Sequence, residues 1–184
     1  PYIGQKALKN SIIALVLSLV LITAYVWIRF RVLSGLSAGV MGVLALLHDV
    51  LIVFFVFVAF KIPLNDAFVA VTLTIIGYSI NDTIVLYDRI RENRRKDSKI
   101  PLGELIDLST TQTLSRTMNS SFTTTACVLM ILIFAVLYGI TSIKVFALPM
   151  LFGLICGCYS SICIAAPLWV SWSEFKEKRM RRKE

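Results

Sequence analysis

Long uncharged runs alternate with short basic clusters along this chain. The runs extend from Asn10 to Ile28, from Val32 to Phe60 broken only by His48 and Asp49, from Ala67 to Tyr87 broken only by Asp82, from Thr117 to Ile143, and from Val145 to Ser173. A helix that crosses a bilayer needs roughly 20 mostly apolar residues at 1.5 Å per residue. The pattern therefore predicts five spans, at approximately 10–28, 33–60, 67–87, 117–140 and 146–172. The second, fourth and fifth runs exceed a straight crossing, which points to tilt or interfacial ends. The runs are continuously apolar rather than alternating, which excludes a barrel of short strands. The expected fold is an all-α integral membrane domain over 1–184. Its segment 88–116 is expected to be a cytoplasmic loop, and 174–184 a cytoplasmic tail. Within the loop, Pro101 suits a first helical turn, and Leu102, Leu105, Ile106, Leu108 and Leu114 give an amphipathic pattern. That predicts a short helix lying along the cytoplasmic face before the fourth span.

Composition narrows the class. The 184 residues are 57% hydrophobic and 16% charged, with a mean hydropathy of +0.79. A soluble domain is about 45–50% apolar and about 25% charged, so an ordinary soluble domain is nearly excluded. Disorder is excluded as well. A signal peptide is not expected, because the first run is long enough to span and no small-residue cleavage pattern closes it. Pro1 stands where an initiator Met is expected, so the chain reads as continuing from something longer.

The net charge of +8 is unevenly placed. Five spans put the termini on opposite sides. One side holds Arg29, Arg31, Arg89, Arg91, Arg94, Arg95, Lys96, Lys99, Arg116, Lys176, Lys178, Arg179, Arg181, Arg182 and Lys183. The other holds only Lys6, Lys9, Lys61 and Lys144. The positive-inside rule then predicts a cytoplasmic C-terminus and an external N-terminus. Topology and contact with anionic lipids account for most of these charges, at about 1 kcal/mol each near the surface. No basic face on a soluble module exists, so nucleic acid is not an expected partner. The tail is a secondary candidate for a cytoplasmic partner such as a ribosome.

Charged groups at a span centre cost about 2.5–3.5 kcal/mol on insertion scales. An Asp meets part of that cost by taking up a proton. Asp82 lies seven residues before Arg89, about 10 Å inside the cytoplasmic boundary. Thr74, Tyr78, Asn81 and Asp82 share one helix face. Two readings stand for this stripe, polar glue between helices and the handling of protons or ions. Arg116 opens the fourth span, with Thr113, Thr117, Ser120 and Thr124 on its face. If the two stripes pack together, Arg116 comes within reach of Asp82, and helix movement would switch the protonation of that Asp. The alternative makes Arg116 an interfacial anchor. His48 and Asp49 sit deeper, with Asp49 about 18 Å from the external end. They suit either a proton path entering from outside or a plain hydrogen bond between helices.

Other signals are weaker. Gly35-x-x-x-Gly39 and Gly153-x-x-x-Gly157 have the spacing of closely packed helices. Cys127, Cys156, Cys158 and Cys163 all fall in apolar runs, with no zinc spacing and no disulfide framework. No phosphate-binding Gly-rich loop, hydrolytic triad, metal site or cofactor site is present, so an enzyme is not expected.

Three motifs carry a resemblance. Gly77–Asn93 reads GYSINDTIVLYDRIREN, Leu46–Val53 reads LLHDVLIV, and Thr113–Ser121 reads TLSRTMNSS. Together they closely resemble the SecF subunits of the SecD–SecF protein-export accessory family, relatives of the proton-driven resistance–nodulation–division transporters. SecD sequences usually carry Asp-Ala-Asn where this chain has Asn81-Asp82-Thr83, and usually lack a His48–Asp49 pair, so the resemblance is to SecF. Ile84, Leu86 and Tyr87 replace residues that are more often Val, Val and Phe. SecF subunits have six spans with a large external domain after the first. The five spans here then correspond to spans two to six, without the domain that would grip a preprotein.

The resemblance implies a multi-pass protein of a bacterial or archaeal plasma membrane, working beside a pseudo-symmetric SecD half and a SecYEG-type channel on secreted preproteins. It implies use of the proton-motive force, with Asp82 and Arg116 in the proton path. The expected cycle has a proton enter from outside, neutralise Asp82, loosen its pairing with Arg116 and leave to the cytoplasm. Two rival readings are a small-molecule or lipid exporter of the same superfamily and a passive scaffold for the translocon.

Overall fold

The computed structural model describes residues 2–29 and 35–181. Arg31, Arg182, Lys183 and the first two residues of the expected second span lie outside the described residues, as does Pro1. The described residues form α1 (Tyr2–Arg29), α2 (Gly35–Ala59), α3 (Asp66–Lys96), α4 (Leu102–Leu137), α5 (Thr141–Ser160) and α6 (Ala166–Arg181). A single π-helical turn, Ser161–Ala165, joins α5 to α6 without a break. The result is an all-helical membrane bundle of five helices. Four are long and apolar enough to cross a bilayer, namely Ser37–Ala59, Asp66–Lys96, Leu102–Leu137 and Thr141–Ser173, and Ile13–Arg29 is a shorter apolar helix.

The segment before the fourth span is helical but not separate. It is the first part of α4, one helix of 36 residues. The reason is local: after Gly103 no Pro or Gly interrupts the chain until Gly139, so nothing stops the helix. The expected amphipathic face is only partly used. Leu105 and Ile106 are buried, whereas Leu108 and Leu114 are exposed.

Helix ends follow known chemistry. The Asn65 side chain accepts from the Ala67 N–H at 3.0 Å and opens α3. Two C-termini close with paired backbone bonds around a left-handed residue. Lys61 (φ 53°) does this after α2, with Ile62 N–H to Phe57 O at 2.8 Å and Lys61 N–H to Val58 O at 3.1 Å. Gly139 (φ 67°) does it after α4, with Ile140 N–H to Ala135 O at 2.9 Å.

α5 is the central helix, packing on α2, α3 and α4, while α1 leans on α2 and α3. Gly153 and Gly157 allow this approach. A Cβ at Gly153 would lie 2.7 Å from Ile75 Cγ1, and one at Gly157 would lie 3.3 Å from Ser79 Cβ. Two apolar cores result. One gathers Leu46, Ile76, Ile80, Tyr87, Ile90, Leu105 and Trp169. The other gathers Val53, Phe57, Val71, Ile75, Val128, Ala147 and Leu154. Along α2 the cores are separated by Asp49, and along α5 by Gly157, Ser160 and Ser161. The waist between them is polar.

Candidate functional site

Asp49 occupies that waist and is 0% exposed. Three helices supply its partners. Ser79 of α3 donates to Asp49 Oδ2 at 2.7 Å, and Ser160 of α5 donates to the same oxygen at 2.8 Å. His48 Nδ1 lies 3.2 Å from Asp49 Oδ1. The other ring nitrogen, Nε2, lies 2.9 Å from the Tyr159 hydroxyl. One neutral tautomer serves both contacts, with Nδ1–H donating to the carboxylate and Nε2 accepting from Tyr159. Although adjacent helical residues diverge by about 100°, His48 and Asp49 thus meet directly.

Ser161 opens the π turn and extends the cluster. Its hydroxyl is 3.1 Å from the Ser79 carbonyl and 3.1 Å from the Gly157 carbonyl. π turns insert one extra residue and recur at functional sites. Here the insertion follows Ser160 directly, so two consecutive serines reach α3 and its neighbour Asp49.

Asp82 sits one helical turn beyond Ser79 on α3 and is 5% exposed. Its Oδ2 has no hydrogen-bond partner. Among the described residues no ion pair within 4.0 Å engages it, and Arg116 stands on α4, the helix packed against α3. The two helices are bridged nearby by the Tyr78 hydroxyl, which donates to Ser121 Oγ at 3.1 Å. Thr117 is buried beside them.

The rest of the two stripes points elsewhere. Thr74, Asn81, Arg116 and Ser120 are exposed on the surface of this chain. Thr74 returns its hydroxyl to the Ala70 carbonyl at 2.7 Å, and the Ser120 carbonyl accepts from Thr123 and Thr124 at 2.9 Å. The stripes therefore split. Tyr78, Asp82 and Thr117 face inward, Thr113 and Thr124 are half-buried, and Thr74, Asn81, Arg116 and Ser120 have little cover from this chain.

Sequence reasoning passed over Ser79, Ser121, Tyr159, Ser160 and Ser161. Ser79 was findable, being three residues before Asp82 and on the same side of α3. Ser121 was findable too, four residues after Thr117 on the same face of α4, whereas Tyr159, Ser160 and Ser161 had no periodic signal. It also passed over a joint between the basic C-terminal part of α3 and the N-terminal part of α4. There Asn93 donates to Ser109 Oγ at 2.9 Å and to Gln112 Oε1 at 2.8 Å, and Arg89 Nε reaches the same Gln112 oxygen at 2.7 Å. The four cysteines are free.

This arrangement has close counterparts. Residues 1–175 match the family described as protein export membrane protein SecD/SecF, C-terminal. The chain belongs to this SecD/SecF family. It is 44% identical over 172 residues to the protein translocase subunit SecDF of Brucella abortus, covering 94% of this chain and 22% of that protein. It is 37% identical over 182 residues to the protein translocase subunit SecF of Alicyclobacillus acidocaldarius, covering 99% of this chain and 58% of the relative. A crystal structure of SecDF in a super-membrane-facing form superposes with a TM-score of 0.87 at 36% identity, covering 98% of this chain and 24% of that one. SecDF from Thermus thermophilus, described as a translocon-associated membrane protein, superposes at 0.85 with 38% identity, covering 95% and 23%. This SecD/SecF-family chain therefore spans between 22% and 58% of the length of these relatives.

Proposed function

We propose that this chain is the membrane portion of a SecF-type protein-export subunit, and that Asp82 is its proton carrier. One observation carries the reading: a carboxylate buried in the bundle, with an oxygen that finds no hydrogen-bond partner. Arg116 favours the ionised form when close and releases it when distant. In the cycle, a proton from outside adds to the Asp82 carboxylate and neutralises it, the attraction to Arg116 lapses, α3 and α4 shift, and the proton leaves to the cytoplasm. His48 and Asp49 lie on the outer side of this route. The shift would drive an external domain that pulls preproteins outward. One charge crossing 100 mV supplies about 2.3 kcal/mol. That biases a conformational equilibrium by a factor of tens, so several protons serve each stroke.

The exposed polar groups Thr74, Asn81 and Ser120 support a partner at membrane depth, since lipid would leave them uncovered. A SecD-like half fits, as does association with a SecYEG-type channel. The basic residues support a cytoplasmic C-terminus and contact with anionic lipids.

The test is proton conductance and preprotein export with Asp82→Asn in the full-length protein. Both should fall to background, and normal values for both would end the proposal. Arg116→Lys keeps the charge but loses the planar fork. It should impair export severalfold, and full activity would return Arg116 to the role of anchor.

A further inference from the structure

A cleft of about 430 Å³ opens where α1 ends and α3 becomes charged, lined by Arg29, Asp88, Arg91, Glu92, Arg95 and Lys96. It is large enough for a small ligand. Four cations face two carboxylates, and both carboxylates are already engaged. Arg29 and Arg91 each lie 3.3 Å from Asp88 Oδ1. Lys96 lies 2.7 Å and Arg89 2.6 Å from the two Glu92 oxygens. Arg95 pairs with no carboxylate among the described residues. Arg91 Nη1 also reaches the Arg29 carbonyl at 3.4 Å, which offsets the negative end of α1. The surplus in the cleft is positive.

Its depth is set independently. Tyr25, Trp27 and Ile28, within the last turns of α1, are 49%, 43% and 63% exposed. Aromatic rings so placed mark the headgroup level of a bilayer. Nearer the N-terminus, Ile13, Leu17, Val20 and Leu21 leave α1 an exposed apolar surface. An anion at the cleft would therefore lie at phosphate height, with apolar helix surface available to acyl chains.

We propose that this cleft seats the phosphodiester of an anionic phospholipid. Basic pockets between spanning helices recognise such headgroups. The inference rests on the lipid contact proposed above and is independent of the proton path. Arg91 and Arg95 hold the phosphate, Asp88 fixes Arg29 and Arg91 beside it, and Glu92 fixes Lys96.

The experiment uses the full-length protein, exposed to vesicles of equal phosphatidylglycerol and phosphatidylcholine and then extracted in neutral detergent. Retained lipid is counted by native mass spectrometry. Wild type should retain phosphatidylglycerol in clear preference. Each basic side chain near the surface is worth about 1 kcal/mol, so Arg95→Gln should weaken that preference about fivefold. Arg91→Gln with Arg95→Gln should abolish it, while Arg95→Lys should restore most of it. Asp82→Asn should leave it unchanged, which separates this site from the proton reading. Equal retention of the two lipids, or unchanged preference in the double variant with native helix content, would overturn the proposal. Displacement of the lipid by millimolar inorganic phosphate would overturn it too, making the cleft a site for free anions.

Discussion

Asp49 and Asp82 are two carboxylates buried in one bundle, on neighbouring helices, and their surroundings are opposite. Asp49 is held by Ser79, Ser160 and His48. Asp82, one turn along from Ser79, keeps an oxygen with no partner. A fully bonded carboxylate resists any change, because its partners are left orphaned by it. One with an unpartnered oxygen has no such hold on it, and in the proposed cycle it is the one that takes the proton. On the proposed reading, Asp49 fixes three helices at the waist so that Asp82 can respond.

The contrast can be broken by exchanging the losses. Asp82→Asn should take proton-coupled export to background, while its unfolding midpoint stays close to wild type. Asp49→Ala should do the reverse. It leaves the Ser79 and Ser160 hydroxyls without their shared acceptor, and should cost about 2–3 kcal/mol in reversible unfolding from mixed micelles. If Asp49→Ala were stable but uncoupled, the two roles would have to be swapped.

Smaller changes sharpen the contrast. Gly153→Leu places a side chain where Ile75 already stands at 2.7 Å. It should destabilise by about 1–2 kcal/mol through overpacking, seen in the same titration. An unaltered midpoint would show that α5 does not need its close approach. Tyr78→Phe removes only the bond to Ser121, and hydrogen bonds between spanning helices average about 0.6 kcal/mol. Stability should shift by about that amount. A larger fall in export than in stability would place Tyr78 in the proton route.

The sequence disclosed features whose cost is carried within one segment. Five helices were legible because apolar runs leave lipid few alternatives, and Asp82 because a charge in such a run is expensive wherever it faces. What it could not disclose is set by other helices. Ser160 and Ser161 look like ordinary small residues, since a serine in a helix can return its hydroxyl to its own backbone. Only the positions of α2 and α3 give them partners, Asp49 for Ser160 and the Ser79 carbonyl for Ser161. The π turn is equally silent, because it changes phase without changing composition. The outward aspect of Asn81 and Ser120 was also hidden, for helical periodicity groups a stripe but does not say which part of it a neighbour covers. The unbroken α4 is a different case: the lack of breakers after Gly103 was in plain view, and the change from amphipathic to apolar pattern was given more weight than continuity.

That unbroken α4 has a mechanical consequence. At 1.5 Å per residue its 36 residues make a rigid bar about 54 Å long. Arg116 lies about 21 Å from its first residue, so the longer arm runs away from the basic end. Pivoting such a bar by about 5° at one end displaces the other by about 5 Å, nearly a helical turn. Two hinged helices would absorb the same tilt at their joint. On the proposed reading, an ångström-scale adjustment of α4 near Arg116 would thus be multiplied at the far end of the helix.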